Sequence, residues 1–421
     1  MGHHDCHKKK CEDKYVIKCL PCTIYKSGHY CLGKDFEWGR DTPAITIMSD
    51  NVVLDFNQRN IDIRVATELP LIYVKNSKNV KLLNVNVIGI SQGQYASKAL
   101  LVEDSSVIEV KGLFVLDLAT EGVKFLNVTN LELIDSTFQN SAQKPIKVLK
   151  FDSVINLTYT NSKSYGVNFL TINSKNILFD YLQIDESDYL TEDGTQEMID
   201  FVGCENIKVS NSNIIGAFGE NGVGGTCLRF QTSKVIEVSN NTIKTGYDLG
   251  GGGVGGVFFS AVEGRCDGAT VKNNTILCRR VDPEEPIVPN VLGIILFGGI
   301  HISIEGNNII GNGEEGSAGI GVLSLGGVSE YVHVRNNNIT GSNYGLLDSF
   351  YDIFGYSRFC IFTDNIVSGN EVNVNVNSPD NSAFDNITIY SAPAMSSLSV
   401  TKAISGLSES EINSLAEKLK R

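Results

Sequence analysis

The residues with the clearest chemical potential are carboxylates in an acidic stretch at 185–193, joined by single carboxylates roughly one repeat further on. Hydrolysis of a glycosidic bond needs two carboxyl groups about 5–10 Å apart. Carboxylate oxygens also bind Ca²⁺, and a solvated acidic loop is the third interpretation. The candidates for catalysis are Asp185, Asp188, Glu220 and Asp248.

Aromatic residues recur in the same parts of the chain. An aromatic ring offers a large apolar face on which a sugar can stack, and nearby carboxylates suit the sugar hydroxyls. Packing between loops is the alternative role for these rings. The candidates for glycan binding are Tyr189, Phe218, Tyr247, Tyr344 and Tyr351.

Half of the ten cysteines lie in the first 31 residues. The pair Cys19-x-x-Cys22 is typical of zinc sites, but the other spacings fit no common zinc module. We expect disulfides or thiols here, with cross-links that staple the end of the fold or join neighbouring chains. No cofactor is expected; zinc at this cluster and calcium at the acidic stretch are the alternatives. The residues concerned are Cys6, Cys11, Cys19, Cys22 and Cys31.

A sequence repeat must position all these groups. The segment 77–87 recurs at 204–214 and 233–243, and copies follow one another at intervals of 21–33 residues. Such intervals are typical of one coil of a solenoid. The last position of each copy, called the mark, falls at Ile61, Val87, Val115, Phe138, Ser162, Ile184, Ile214, Ile243, Ile276, Ile309, Ile339, Ile366 and Ile387.

Each repeat predicts two strands with a bend between them. The positions seven and five residues before the mark are mostly apolar and share one face of a strand. The mark lies an odd number of residues further on, so in a straight strand it would face the opposite side. The chain must therefore bend before the mark if the mark and the two earlier positions are all to be buried. Asn tolerates the left-handed backbone of a bend and can bond to the same amide in the next coil. The predicted bend residues are Asn60, Asn86, Asn161, Asn213, Asn308, Asn338, Asn365 and Asn386.

Short parallel strands repeated in this way predict an all-β, right-handed parallel β-helix of about 12–13 coils. A cysteine-rich segment with lead-in strands (1–32) precedes the β-helix (33–390). A linker and a short C-terminal α-helix (391–421) follow, and a capping box at 408–411 begins that helix. The long loops come after the mark, so we expect them to lie side by side at one corner.

The coil endings, such as Asn338-Ile339-Thr340, resemble the pectin-lyase-like β-helix superfamily over residues 15–390. The segment 17–32, followed by 52–57, resembles β-helix proteins of large amoeba-infecting DNA viruses. The superfamily resemblance implies either a polysaccharide lyase or hydrolase, or an adhesin, tailspike or structural virion protein. Of the polygalacturonase motifs, only Asn60-Ile61-Asp62 is present; the Asp-Asp pair, Gly-His-Gly and Arg-x-Lys are absent.

The missing motifs, the cysteines and the terminal helix favour a structural or adhesive protein of a virion surface that binds glycans through its stacked loops. An enzyme is the less favoured reading; the alternative is a polysaccharide hydrolase or lyase that uses the loop carboxylates. The expected partners are glycans, virion proteins and further copies of the chain joined through the termini. His301 and His333 are expected to face solvent.

Charge and hydropathy narrow these classes further. The net charge of −13 argues against nucleic acid as a partner. The sequence contains no stretch of about 18 apolar residues, so no membrane span is predicted. The first residues lack the apolar core of a secretory signal. We expect a virion-surface or extracellular location.

Overall fold

The computed structural model describes residues 10–11, 14–65, 69–89, 98–117, 122–141, 146–187, 190–191, 198–219, 226–248, 254–261, 264–278, 291–313, 317–324, 327–348 and 357–389. Cys6 and the predicted linker and C-terminal helix lie outside these residues. The chain divides into two compact units, Met1–Gln183 and Ile184–Arg421. In the part of the chain that is described, no helix has the length and apolar character needed to cross a lipid bilayer.

The first unit is built from parallel strands in three sheets, named A, B and C. One exception is Lys10–Cys11, which pairs antiparallel with the first strand of sheet A. Sheet A contains Lys14–Ile17, Gly28–Leu32, Val52–Asp55, Lys78–Leu83, Ser106–Lys111, Thr129–Ile134, Ile155–Thr160 and Lys175–Asp180. Sheet B contains Cys22–Ile24, Ile45–Ile47, Pro70–Lys75, Lys98–Glu103, Val123–Leu126, Ile146–Asp152 and Val167–Ile172. Sheet C contains Phe36–Trp38, Ile61–Ile63, Asn86–Ile88, Phe114–Leu116, Thr137–Gln139 and Lys163–Tyr165, and Gln183–Asp185 lies at the division between the units.

The second unit repeats the plan, and we use the same sheet names for it. Its sheet A contains Glu205–Ser210, Lys234–Ser239, Cys266–Lys272, Gly299–Glu305, His333–Arg335, Ile361–Thr363 and Ser382–Phe384. Sheet B contains Ile199–Val202, Leu228–Gln231, Val254–Ser260, Val291–Leu296, Ala318–Val322, Tyr344–Leu347 and Val372–Asn375. Sheet C contains Asn213–Ile215, Thr242–Lys244, Thr275–Leu277, Asn308–Ile310, Asn338–Thr340, Ile366–Ser368 and Ile387–Ile389. A small sheet D contains Leu190–Thr191, Phe218–Gly219 and Tyr247–Asp248.

Each coil contributes a strand to sheet B, then to sheet A, then to sheet C, and pairs in parallel with the next coil. Both units are therefore right-handed parallel β-helices, as predicted, with seven described sheet-B strands in each. The predicted alternation is confirmed, because Val80 and Leu82 are fully buried while Lys81 between them is exposed. The mark Val87 is also fully buried, so the chain does bend between the two strands.

The bend does not lie at the predicted residue. The left-handed backbone falls three residues before the mark, as at Asn84, Asn240 and Asn336, with φ of 52°, 57° and 55°. The residue directly before the mark, such as Asn308, already belongs to the sheet-C strand. The prediction of an Asn bend is therefore right in kind and wrong in position by two residues.

The predicted amide ladder exists in the second unit, two residues before the mark. Each Nδ2 donates to the Oδ1 of the next asparagine over 2.8–3.0 Å. Each Oδ1 also accepts the backbone N–H of the preceding asparagine over 2.9–3.1 Å. Of the predicted bend residues, only the last two belong to this ladder, which consists of Asn241, Asn274, Asn307, Asn337, Asn365 and Asn386.

Three marks are out of register. Phe138 pairs with Ser164 rather than Ser162. Ile339 pairs with Val367, which is fully buried, whereas the predicted mark Ile366 is 42% exposed. The last mark moves in the same way from Ile387 to Thr388. A shift of one residue exchanges the two faces of a strand, so apolar character alone misled the assignment at both isoleucines.

The ladder predicts a contrast between two adjacent asparagines. Asn307→Ala should lower the free energy of unfolding by about 2–4 kcal/mol, because it breaks buried hydrogen bonds to Asn274, Asn337 and Val271. Asn308→Ala removes only an exposed amide bond to Asn338 and should cost less than about 1 kcal/mol. Thermal and urea unfolding of both variants measures the difference. Equal losses would contradict the assignment of the ladder to Asn307.

Candidate functional site

The loops of the second unit lie side by side where they are described. In sheet D, Phe218 pairs with Leu190 on one side and Tyr247 on the other, and Asp248 pairs with Gly219. This pairing confirms the predicted stacking of successive loops for these strands. The side chains of Phe218, Tyr247 and Asp248 lie outside the described part of the chain. So do Asp188, Tyr189, Glu220 and Tyr351, and the proposed roles of all these residues stay predictions.

Tyr344 is corrected by its burial. It lies in a strand of sheet B with 7% of its surface exposed, in a cluster with Phe258, Leu292 and Leu347. A ring packed in this way has no face to offer a sugar. The sequence misled here because an aromatic residue after a Gly-Ser-Asn turn looks the same whether it ends a loop or begins a strand.

The N-terminal cysteines divide between surface and core. Cys22 and Cys31 are buried, and Cys19 is exposed. Their sulfur atoms are not joined in a disulfide within the described residues. No group of three or more His, Cys, Asp or Glu side chains that could hold a metal was found in the same residues. Cross-linking through these cysteines and Cys11 stays a prediction.

The acidic stretch begins with two carboxyl groups in opposite environments. Asp185 is half-buried, and its Oδ1 accepts the backbone N–H of Ser187 over 2.9 Å. Glu186 is fully buried. Burial, and then the charge of Asp185, raises the pKa of the Glu186 carboxyl to about 8. The sequence suggested one solvated acidic loop. In the structure, Glu186 is buried in the core, and its carboxyl group is neutral at pH 7.

The buried carboxyl makes stability depend on pH. In the unfolded chain Glu186 ionises near its ordinary pKa of about 4.3, whereas in the folded chain it ionises near 8. The unfolded chain therefore releases its proton first, and stability falls as pH rises between these values. Glu186→Gln removes this penalty, so its melting temperature should gain on that of the wild type from pH 5 to pH 8.

In free energy of unfolding, the advantage of Glu186→Gln over the wild type should amount to a few kcal/mol at pH 8, because one pKa unit corresponds to about 1.36 kcal/mol. Glu132→Gln, at an exposed residue of sheet A, is the matched control and should leave the pH profile unchanged. A constant difference between Glu186→Gln and the wild type at every pH would refute the buried, neutral carboxyl.

A buried ion pair lies on sheet B of the second unit, on the side away from the core. Asp200 and Arg229 occupy paired positions, between core residues such as Phe201 and Phe230. The guanidinium donates to both carboxylate oxygens, from Nε over 3.0 Å and from Nη2 over 2.6 Å. Removing one partner of a buried pair is costly, because it leaves the other charge buried and uncompensated.

Arg229→Met should therefore lower the free energy of unfolding by about 3–5 kcal/mol. Adding Asp200→Asn should recover much of the loss, because the uncompensated charge is then removed. Arg335→Met is the control, since its pair with Glu305 is partly exposed and worth at most about 1 kcal/mol. Urea unfolding of the three variants measures these differences, and an Asp200→Asn change that deepens the loss would contradict the account.

A second left-handed position recurs near the start of the sheet-A strands, and it changes character between the units. In the first unit it is mostly asparagine, and the amides bond to one another, as from Asn79 to Asn51 over 2.8 Å. In the second unit the same position is aromatic in three consecutive coils, with φ of 55–56°. These residues, which we call the aromatic row, are His301, Tyr331 and Phe359.

The aromatic row is exposed. Side-chain exposure is 64% for His301, and residue exposure is 52% for Tyr331 and 50% for Phe359. Neighbouring rings stack, with centroids 5.4 and 5.3 Å apart and planes within 16° of each other. The left-handed backbone recurs at this position along the stack, so the exposed, stacked rings are what distinguish these three coils. The row is therefore the best candidate site among the described residues.

Charged groups flank the row. The His301 Nδ1 lies 3.0 Å from Asp267 Oδ1. Arg265 is tied to Glu330 over 2.8 Å, and the exposed Arg358 follows Glu330 along the same row of backbone pairs. The sequence predicted that His301 faces solvent, which is confirmed. It did not predict the row, because the rings are 28–30 residues apart and align only once the register is known.

No family model matches the chain, and no curated protein matches it significantly. Solved structures resemble it at low identity. The A-module of an Azotobacter vinelandii mannuronan C-5 epimerase is 14% identical, with a TM-score of 0.41 over 88% of this chain and 92% of that one. A periplasmic alginate epimerase is 12% identical, with a TM-score of 0.45 over 84% and 78%. A GH136 lacto-N-biosidase from Eubacterium ramulus is 9% identical, with a TM-score of 0.38 over 86% and 68%.

These likenesses concern the fold, which the strand pairing establishes independently. The activity in each name belongs to that neighbour. The comparisons lend no support to the narrower resemblance to proteins of amoeba-infecting viruses, which stays a prediction.

Proposed function

We propose that the protein is a polysaccharide lyase whose acidic substrate binds along the aromatic row, with His301 as the group that accepts a proton. The observation that carries the proposal is the exposed Asp267–His301 pair, 3.0 Å apart, within a row of exposed rings. The exposed edges of the stacked rings provide apolar surface for the substrate. The adjacent pair provides a base at the same place.

The pair defines which nitrogen acts. An ionised carboxylate only accepts hydrogen bonds, so the Nδ1 of His301 donates to Asp267 and Nε2 is left as the proton acceptor. A carboxylate that orients an imidazole in this way is a recurrent arrangement in general-base catalysis. Asp267 is therefore a positioning residue, and His301 is the catalytic one.

The charges favour elimination over hydrolysis. Hydrolysis of a glycosidic bond requires two available carboxyl groups, but Glu330 is paired with Arg265 and Asp267 with His301. In elimination, His301 removes the proton from the carbon next to the substrate carboxylate. The electron pair forms a carbon–carbon double bond, the neighbouring glycosidic C–O bond breaks, and water protonates the leaving oxygen. The exposed Arg358 supplies a cation for the substrate carboxylate.

The test is a panel of uronate-containing and neutral polysaccharides, followed by ultraviolet absorbance of the unsaturated product. His301→Gln should lower kcat at least about 100-fold, the usual contribution of a general base. Tyr331→Ala and Phe359→Ala should raise KM. His333→Gln, at a half-buried histidine two residues beyond Tyr331, is the control and should keep wild-type rates.

The second candidate is a non-catalytic adhesive protein of an extracellular or virion surface. It is favoured by the exposed edges of the stacked rings, which form a continuous apolar strip for glycan binding that requires no turnover. Retention of a polysaccharide with no product, lost in Tyr331→Ala, would establish this role and reject the lyase. Activity that survives His301→Gln would reject His301 as the base. A wild-type protein that neither retains nor cleaves any member of the panel would reject both candidates.

A further inference from the structure

A cleft in the first unit has the opposite charge to the molecule as a whole. It encloses about 270 Å³, and three of its lining residues are the cations Lys18, Lys34 and Arg40. The chain carries a net charge of −13, so a concentration of positive charge here is unexpected. Two aromatic residues, Phe36 and Trp38, line the same cleft.

The cations are held against the rings. The Lys34 Nζ lies 5.3 Å from the centre of the Phe36 ring, and the Arg40 Cζ lies 5.7 Å from that of Trp38. Trp38 is buried, and its Nε1 donates to the carbonyl oxygen of Thr42 over 2.9 Å, which fixes the ring. Cation–π contacts restrict where both charges can lie. The cleft therefore places two cations beside aromatic rings.

The cleft keeps its positive charge. Its one carboxylate, Glu37, is paired with Arg64 over 2.6 Å, outside the lining. Lys18, Lys34 and Arg40 have no ion pair within the described residues. A ligand that brings a negative charge is the partner this cleft lacks, and the apolar ring of Phe36 favours one with an apolar face.

We infer that this cleft binds a negatively charged sugar residue of an acidic polysaccharide, with Lys34 and Arg40 on the acidic group and Phe36 against the sugar ring. The choice of a polysaccharide rests on the proposed function; the anionic character rests on the cleft alone. The volume of the cleft lies slightly below the usual range of small-molecule sites, about 300–1,000 Å³. It therefore suits a short piece of a polysaccharide rather than a large ligand.

The chain contains a probe at this place. Trp38 is its only tryptophan, so intrinsic tryptophan fluorescence comes from a residue that lines the cleft. The titration uses the full chain with His301→Gln, which prevents consumption of the ligand, and trigalacturonate as the probe. We expect a saturable change in emission that weakens with added salt.

Lys34→Gln with Arg40→Gln should weaken the apparent affinity at least about ten-fold. Lys163→Gln, at an exposed lysine of sheet C, should change it less than about two-fold. Melting temperatures establish that each variant is folded. An unchanged affinity in the double variant would overturn the inference, and so would an absence of any emission change with the folded parent.

Two further ligands separate the sources of recognition. A neutral trisaccharide should give no change, and an equal response to it would overturn the role of the cations. Inorganic sulfate or phosphate that binds as tightly as trigalacturonate would overturn the role of the sugar. If the lyase assay fails while the tryptophan signal behaves as expected, the cleft stands and the proposed function falls. The reverse result removes the cleft alone.

Discussion

Each coil must turn sharply between sheets A and C without leaving a buried polar group unpaired. A left-handed residue makes the turn, and the residue after it points inward. In the second unit that inward residue is an asparagine in consecutive coils, whose amide bonds to its neighbours and to backbone carbonyls. Each buried bond contributes about 1 kcal/mol, and a broken one costs more, so the coils are held in one register.

The register of the coils determines which side chains from different coils become neighbours. It aligns His301, Tyr331 and Phe359 although each belongs to a different coil. It also sets Asp267 one coil before His301, within hydrogen-bonding distance. In the first unit the corresponding left-handed position carries asparagines that bond along the stack. The exchange of asparagine for aromatic side chains is thus a local change on a constant backbone.

Much of the fold could be predicted because it is written in a repeated apolar pattern. Positions such as Val80, Leu82 and Val87 are buried as expected, since a strand with one buried face tolerates little else. The exact bend was missed because several coils contain consecutive asparagines, as at Asn307 and Asn308, and residue type cannot say which points inward. The burial of Glu186 was missed because an acidic run suggests solvent.

The candidate site was largely beyond the reach of the sequence. The loop residues predicted to be functional were selected because they lie in the same long loops of the sequence. The residues of the aromatic row instead occupy the same position in successive repeats. Tyr331 and Phe359 are separated by 28 residues and are recognisable as neighbours only from the strand pairing of Glu330 with Arg358. Tyr344 shows the converse, since it looked like a surface ring and lies in the core.

The asparagine ladder has a direction, because each amide-to-amide bond runs from an Nδ2 to the Oδ1 of the next asparagine towards the C-terminus. A whole extra coil with its own asparagine would extend this series without leaving a donor or an acceptor over. A fragment of a coil would break two links. Growth and shortening of such a chain in evolution should therefore proceed by complete coils. Each added coil must supply one buried asparagine, whereas its loops can vary.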